Sequence, residues 1–177
     1  MEQINKIEEL FFENPSKEFY LREISRLKKV PLTTTKRILN QLRNDQIINR
    51  LVNKPYSRYI ANTENFYYKY YKKNNMIEKI YRSGLINYLI KEINPTTIFL
   101  FGSCAKGEYD AKSDIDLFVE SEEEKVILNK YEKILRHKIN LFFDKSISNL
   151  NKELFNNIIN GEKLYGFMKL KLKWLKK

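Results

Sequence analysis

The sequence predicts an α+β chain: a helical N-terminal region closing in a two-stranded ribbon, a helical connector, and a C-terminal region with a mixed sheet. Three observations predict it. Apolar residues recur at helical spacing through the first forty positions, and two alternating runs follow them. Further on, Thr96–Phe101 is a buried-strand run that ends abruptly in Gly102-Ser103. The third observation is charge, because 33 Lys+Arg against 22 Asp+Glu give +11 overall, unevenly spread. Residues 1–61 hold 12 basic and 7 acidic residues (net +5), 62–95 hold 6 and 3 (net +3), and 96–165 hold 10 and 12 (net −2). The tail 166–177 adds 5 Lys and no acid. Opposite electrostatics in the two halves argue for two domains, one facing a polyanion and one whose carboxylates hold metal cations.

Composition excludes several classes. A chain of 177 residues that is 42% hydrophobic and 14% aromatic can bury real cores, which argues against disorder. A single cysteine, Cys104, forbids an internal disulfide, and with one histidine, His137, it cannot build a Cys/His zinc site. The first residues lack the basic-then-apolar order of a secretory signal, and no apolar run approaches the ~20 residues of a membrane span. The expectation is a soluble, cytoplasmic protein. No repeat period is visible. The reading divides the chain into 1–61, a connector at 62–95, a C-terminal domain at 96–165 and a basic tail at 166–177, with the clearest boundary at Asn62-Thr63-Glu64-Asn65.

The N-terminal elements follow in order. Ile4, Ile7, Leu10 and Phe11 share one helical face, ended by Asn14-Pro15-Ser16. Glu18-Phe19-Tyr20 is a short extended piece, and Ile24 and Leu27 mark a second helix through about Lys28. After Pro31 a third helix carries Leu32, Thr35, Ile38, Leu39 and Leu42 on one face, and its other face shows Thr33, Thr34, Lys36, Arg37, Asn40 and Arg43. Ile47–Val52 and Tyr56–Ile60 alternate as two strands around Asn53-Lys54-Pro55. This order resembles a winged helix-turn-helix, with Asn44-Asp45-Gln46 where that family often has Gly before the wing. The resemblance implies nucleic-acid binding by the outward third-helix residues and by Lys54 and Arg58 of the wing: a helix fits the major groove, and basic wing residues contact phosphates. The competing interpretation is a helical domain used for protein contacts.

In the connector, Phe66/Tyr67, Tyr70/Tyr71, Ile77, Ile80/Tyr81, Leu85, Tyr88/Leu89 and Ile93 recur every three to four residues. The spacing predicts one long helix or two, broken near Asn74-Asn75. Such a tyrosine stripe is read as packing, between domains or across a homodimer, rather than as a base-stacking face.

The chemistry lies after the apolar strand. Gly102 and Gly107 have P-loop spacing, but Glu108-Tyr109 follow where Lys-Ser/Thr is required, so the P-loop is excluded. The alternative is strand, Gly102-Ser103, helix, then Ser113-Asp114-Ile115-Asp116-Leu117. Asp114 and Asp116, two apart on a strand, project from one face ~6.6 Å apart along the chain, and Ile115 and Leu117 turn inward. Two carboxylates on one face suit Mg²⁺, Gly102 admits close approach of phosphate, Ser103 can donate its hydroxyl, and Lys106 offsets phosphate charge.

The compound motif resembles the polymerase-beta-type nucleotidyltransferases, in particular the minimal nucleotidyltransferase (MNT) family, over about residues 96–165. The resemblance implies a polymerase-beta-like domain that moves a nucleoside monophosphate from an NTP, ATP first, to a hydroxyl. Asp114 and Asp116 would hold two Mg²⁺, and Gly102, Ser103, Lys106 and Ser113 would hold the nucleotide. Many MNT members are antitoxins that adenylylate a HEPN-type toxin, so a protein hydroxyl is an acceptor this resemblance suggests. The family places a third acid on the next strand, where Lys138–Phe143 offers Asn140. An amide cannot accept the acceptor's proton, and Asp144 lies ~13 Å along the strand, so the expectation is a slow or degenerate transferase. The alternative is a DNA-binding regulator whose second domain senses nucleotide without using it; a purely structural adaptor is the third reading.

The remaining elements are a helix from Glu122 to about Arg136, a helix over Ser146–Asn160 stopped by Gly161, and a last strand at Glu162–Tyr165. Cys104 is read as a small helix residue and His137 as a helix-end residue.

Overall fold

The computed structural model describes residues 2–52 and 55–168, and within it the chain forms two compact units. One comprises the chain up to Lys72 together with Tyr109–Ala111, and the other Lys73–Glu108 with Lys112 onward.

In the first unit, α1 (Glu2–Glu13), α2 (Leu21–Lys28) and α3 (Leu32–Asn44) enclose a core of Ile7, Phe11, Phe12, Ile24, Ile38 and Leu39. The turn from α2 to α3 is short because Lys29 adopts φ 53°, letting its N–H and that of Val30 close on the Arg26 and Ser25 carbonyls. Pro31 then starts α3 without wasting a backbone donor, and the buried Thr35 hydroxyl donates to Pro31 O at 3.0 Å. Three short strands, β1 (Phe19–Tyr20), β2 (Ile48–Leu51) and β3 (Arg58–Ala61), pair antiparallel in the order β1-β3-β2. The register sets Phe19 and Arg50 both beside Tyr59, and Phe19 meets Phe11 edge-on with centroids 5.5 Å apart. Lys72, 1% exposed, lies with its ammonium 4.6 Å from the Tyr109 ring and donates to the Tyr68 hydroxyl at 3.3 Å.

The connector helix differs from expectation. α4 (Phe66–Ser83) runs unbroken through Asn74-Asn75, and the interruption comes at Gly84, whose φ of 80° precedes α5 (Leu85–Ile93). Asn within a helix costs only a few tenths of a kcal/mol, which packing of Met76 and Ile80 overrides, whereas a left-handed residue must end it.

The second unit is built on a four-stranded sheet in the order β6-β5-β4-β7. Its strands are β4 (Thr97–Phe101), β5 (Ile115–Glu120), β6 (Ile139–Asp144) and β7 (Glu162–Gly166). β4 pairs antiparallel with β5 and β7, while β5 and β6 are parallel. All five β4 residues are buried, which explains why residues 98–101 are apolar without alternation, and the hydroxyl of Thr97 donates to Tyr165 O at 2.7 Å. One face packs Phe99, Phe101 and Phe118 against Ile147, Phe155 and Ile158.

Two helices are shorter than the sequence suggested. Glu122–Leu128 precedes rather than joins α7 (Asn129–Leu135), because Glu122-Glu123-Glu124 are all exposed and give no apolar face to bury. The Ser146–Asn160 segment splits into a 3₁₀ turn, Ile147–Asn149, and α8 (Lys152–Ile159). The Asn151 side chain accepts from Leu154 N at 2.9 Å, so it caps a new helix instead of continuing one. The tail beyond Met168 lies outside the described residues, and among those described no helix is long and apolar enough to cross a membrane.

Burial, and secondarily the carboxylate of Asp45, pushes Glu8 on α1 from 4.5 up to about 7. The folded chain therefore holds this proton more tightly than the unfolded one. The resulting stabilisation is full below pH 4.5 and is lost as pH rises through about 7. Thermal melts between pH 5 and 8 should show wild type losing stability relative to Glu8→Gln; parallel curves would contradict it.

Candidate active site

The end of β4 brings backbone against side chain. Phe101 is the last strand residue and pairs with Asp116 across the β4–β5 ladder. The chain then turns at Gly102, φ 72°, into the short helix α6 (Gly102–Lys106), which Gly107 closes at φ 70°. A Cβ on Gly102 would lie 2.5 Å from Asp116 Oδ2, so only glycine combines this dihedral with this proximity. Here the need for glycine is set by a carboxylate, in a cradle that a methyl group would fill.

On the other side of β5, the parallel register pairs Asp116 with Asn140. The Asn140 amide donates to Asp116 Oδ1 at 2.9 Å and to Asp114 Oδ2 at 3.3 Å. Asp114 precedes β5 by one residue rather than lying within it, yet its carboxylate still faces the same amide as Asp116. All three side chains are half-buried. No group of three His, Cys, Asp or Glu side chains converges among the described residues. The site has two carboxylates and one amide. Hard oxygen donors on one side of a sheet, beside a glycine with no side chain, suit a divalent cation such as Mg²⁺, for which Asp114 and Asp116 would be the charged ligands.

Ser113 and Asp114 are held from behind. The buried His137 ring sets Nδ1 2.6 Å from Ser113 O, so that nitrogen carries the proton. Buried Cys104 donates from Sγ to Asp114 O at 3.4 Å. Read from sequence, neither had a role beyond filling a helix or its end. The signal for His137 is register: Ile139 opposite Ile115 places position 137 beside position 113 once the strands are known to be parallel.

The other candidates are placed as follows. Ser103 is half-buried in the first turn of α6, its carbonyl accepting from Glu108 N at 2.9 Å, and Lys106 is exposed at the helix end. Neither contacts the carboxylates. In the first unit Thr33, Lys36, Arg37, Asn40 and Arg43 are exposed on α3 and Thr34 is half-buried. Arg58 is half-buried on β3, paired with the Glu18 carboxylate, and Lys54 lies outside the described residues. Arg22, Arg26 and Arg50 are further exposed cations on α2 and β2 that helix-three reasoning passed over.

Residues 83–167 match the family model described as polymerase beta, nucleotidyltransferase. No curated protein and no solved structure matches the chain. The matched stretch contains every element that shapes the two-aspartate site, from Gly102 to Asn140, and the match suggests nucleotidyl transfer in general.

Gly102→Ala should fold with a loss of about 1–3 kcal/mol from the left-handed strain. It should lose more in ligand response, because the new methyl displaces Asp116. A Mg²⁺-dependent thermal shift with ATP retained at wild-type size in this variant would refute the proximity argument.

Proposed function

We propose that the chain is a slow, Mg²⁺-dependent nucleotidyltransferase that moves AMP from ATP to a hydroxyl acceptor, a protein hydroxyl being the foremost candidate. The single observation that carries this is the sharing of one amide by Asp114 and Asp116, directly beside the Gly102 turn. Bound Mg²⁺ would supply charge neutralisation for the triphosphate and the attacking oxygen. Asp114 and Asp116 are the residues to hold it. Gly102 leaves room for the triphosphate, and Ser103 offers a hydroxyl that no described residue occupies. Lys106 and Ser113 are the outer nucleotide contacts in this reading. His137 and Cys104 act on the backbone that carries Asp114 and are positioning residues.

Asn140 explains the slowness. At its position a carboxylate could take the proton leaving the acceptor hydroxyl; the amide has no basic site at neutral pH, so the proton must go to water. Its N–H groups also engage both carboxylates, so metal entry has to compete with two hydrogen bonds. A protein acceptor such as a HEPN-type toxin accords with the MNT resemblance. The first unit's helix–strand–helix–helix–ribbon order and its exposed α3 cations support a winged-helix nucleic-acid binder, which would make the chain a regulator as well. The same order favours the second reading, a DNA-binding regulator that senses nucleotide without turnover.

Radiolabelled ATP with Mg²⁺ and candidate protein acceptors separates the two. Asp114→Ala with Asp116→Ala should abolish label transfer and leave DNA retention unchanged. Restoring the carboxylate with Asn140→Asp should raise turnover by about 10²-fold or more, the usual contribution of a positioned base. Wild-type turnover that is already fast and indifferent to Asn140→Asp would remove the explanation of slowness.

A further inference from the structure

The first unit contains a cavity of about 700 Å³ between α2, α3 and the β-ribbon, in the size range of small-ligand sites. Its walls are built by helical spacing. Arg22 and Arg26 stand one turn apart on α2, Lys36 and Asn40 one turn apart on α3, and both pairs line the cavity. Arg50 joins them from β2, tied to the ribbon by its donation to Ser57 Oγ at 2.9 Å. Four cations thus share one concavity. Arg22, Arg26 and Lys36 form no ion pair among the described residues. The one acid among the lining residues, Glu23, is already engaged by Lys17 at 3.2 Å and by the Tyr20 backbone N–H at 3.2 Å. The lining is also aromatic: Tyr20 and Tyr56 are 47% and 69% exposed at its edge, and buried Tyr59 contributes from β3.

Clustered unpaired guanidinium groups select phosphate oxygens, and open tyrosine rings select a planar base. From this pairing in one cavity we propose that the first unit carries a nucleotide-binding site of its own, taking a phosphorylated nucleoside with its phosphates on Arg22, Arg26 and Lys36 and its base on Tyr20 or Tyr56. A concave site of this volume suits one nucleotide and does not seat a duplex, whose groove is filled by a protruding element. Arg37 and Arg43, the other exposed cations of α3, are not among its lining residues. The proposal stands independently of the transferase reading, since it uses no residue of the two-aspartate site. It shares only Lys36 and Asn40 with the nucleic-acid reading of α3.

The phosphorylated nucleoside could be free or the 5′-phosphorylated end of a single strand, and fluorescence anisotropy distinguishes them. The probes are labelled ATP, a labelled 5′-phosphorylated six-nucleotide single strand, and a labelled duplex. The protein is the full chain carrying Asp114→Ala and Asp116→Ala in EDTA, which silences the metal-dependent site. Saturable binding of free ATP, or of the single strand alone, supports the site and identifies its source. Arg22→Ala with Arg26→Ala, two exposed helix positions where alanine preserves the fold, should weaken that binding by about tenfold or more. Tyr56→Ala should weaken it by a smaller factor. The proposal is overturned if neither small probe binds, if only the duplex binds, or if the Arg22/Arg26 variant binds as wild type while its melting curve shows it folded.

Discussion

The second unit depends on one alignment: Phe101, Asp116 and Asn140 lie abreast on three adjacent strands. Antiparallel pairing of β4 with β5 delivers the turn after Phe101 to the flank of Asp116, and parallel pairing of β5 with β6 delivers Asn140 to the other flank. A one-residue slip on either ladder would turn the partner side chain to the opposite face and dissolve the site. The apolar residues between the polar ones prevent that slip. Leu117 and Ile139 are buried opposite the site face, and a slip would carry Asp116 or Asn140 into that buried face in their place. The core that stabilises the sheet also fixes the register of the site.

Charge is divided to match. The sheet region places its carboxylates where no Lys or Arg pairs with Asp114 or Asp116 in any described contact, so their negative potential is left for a cation. The first unit does the reverse: its α2, α3 and ribbon keep guanidinium and ammonium groups largely unneutralised around a concave surface. Two oppositely charged surfaces on one chain are consistent with a phosphate-bearing ligand meeting each unit in a different way. In the second unit it would be approached through a metal, in the first directly through cations.

Much of this was legible in the sequence because the residues concerned act locally. Helix boundaries at Asn14-Pro15 and Pro31, the strand run ending at Phe101, and the Gly102-Ser103 and Asp114-Ile115-Asp116 pair are short-range patterns governed by backbone restriction and strand parity. What escaped depends on tertiary pairing. The helix break at Gly84 rather than Asn74-Asn75 follows from one left-handed residue competing with packing of Met76 and Ile80, a comparison periodicity cannot make. The capping role of Asn151 looked like helix interior because Leu150, Leu154 and Ile158 keep the period across it. Likewise His137 meets the backbone at Ser113 only once β5 and β6 are aligned, Cys104 meets it at Asp114 only once β4 and β5 are aligned, and the α2 arginines gain meaning only opposite Lys36.

Asn140 is where stability and chemistry pull apart. Asp114 and Asp116 already bring two like charges near one another, and a third carboxylate between them would add repulsion that only bound cations relieve. The amide reverses the sign of that contribution, since its two N–H groups point positive dipole ends at both carboxylates. The resting site is thereby held in shape without metal. An amide at this position has no basic site to accept a proton, as a carboxylate there would. On the proposed reading, a site kept organised at rest and slow in turnover would suit a protein whose task is to modify a partner once, or to register that nucleotide is present, better than one that must cycle rapidly. On this view the transferase and sensing readings differ by the proton-accepting capacity of a single side chain, and the geometry around it serves both.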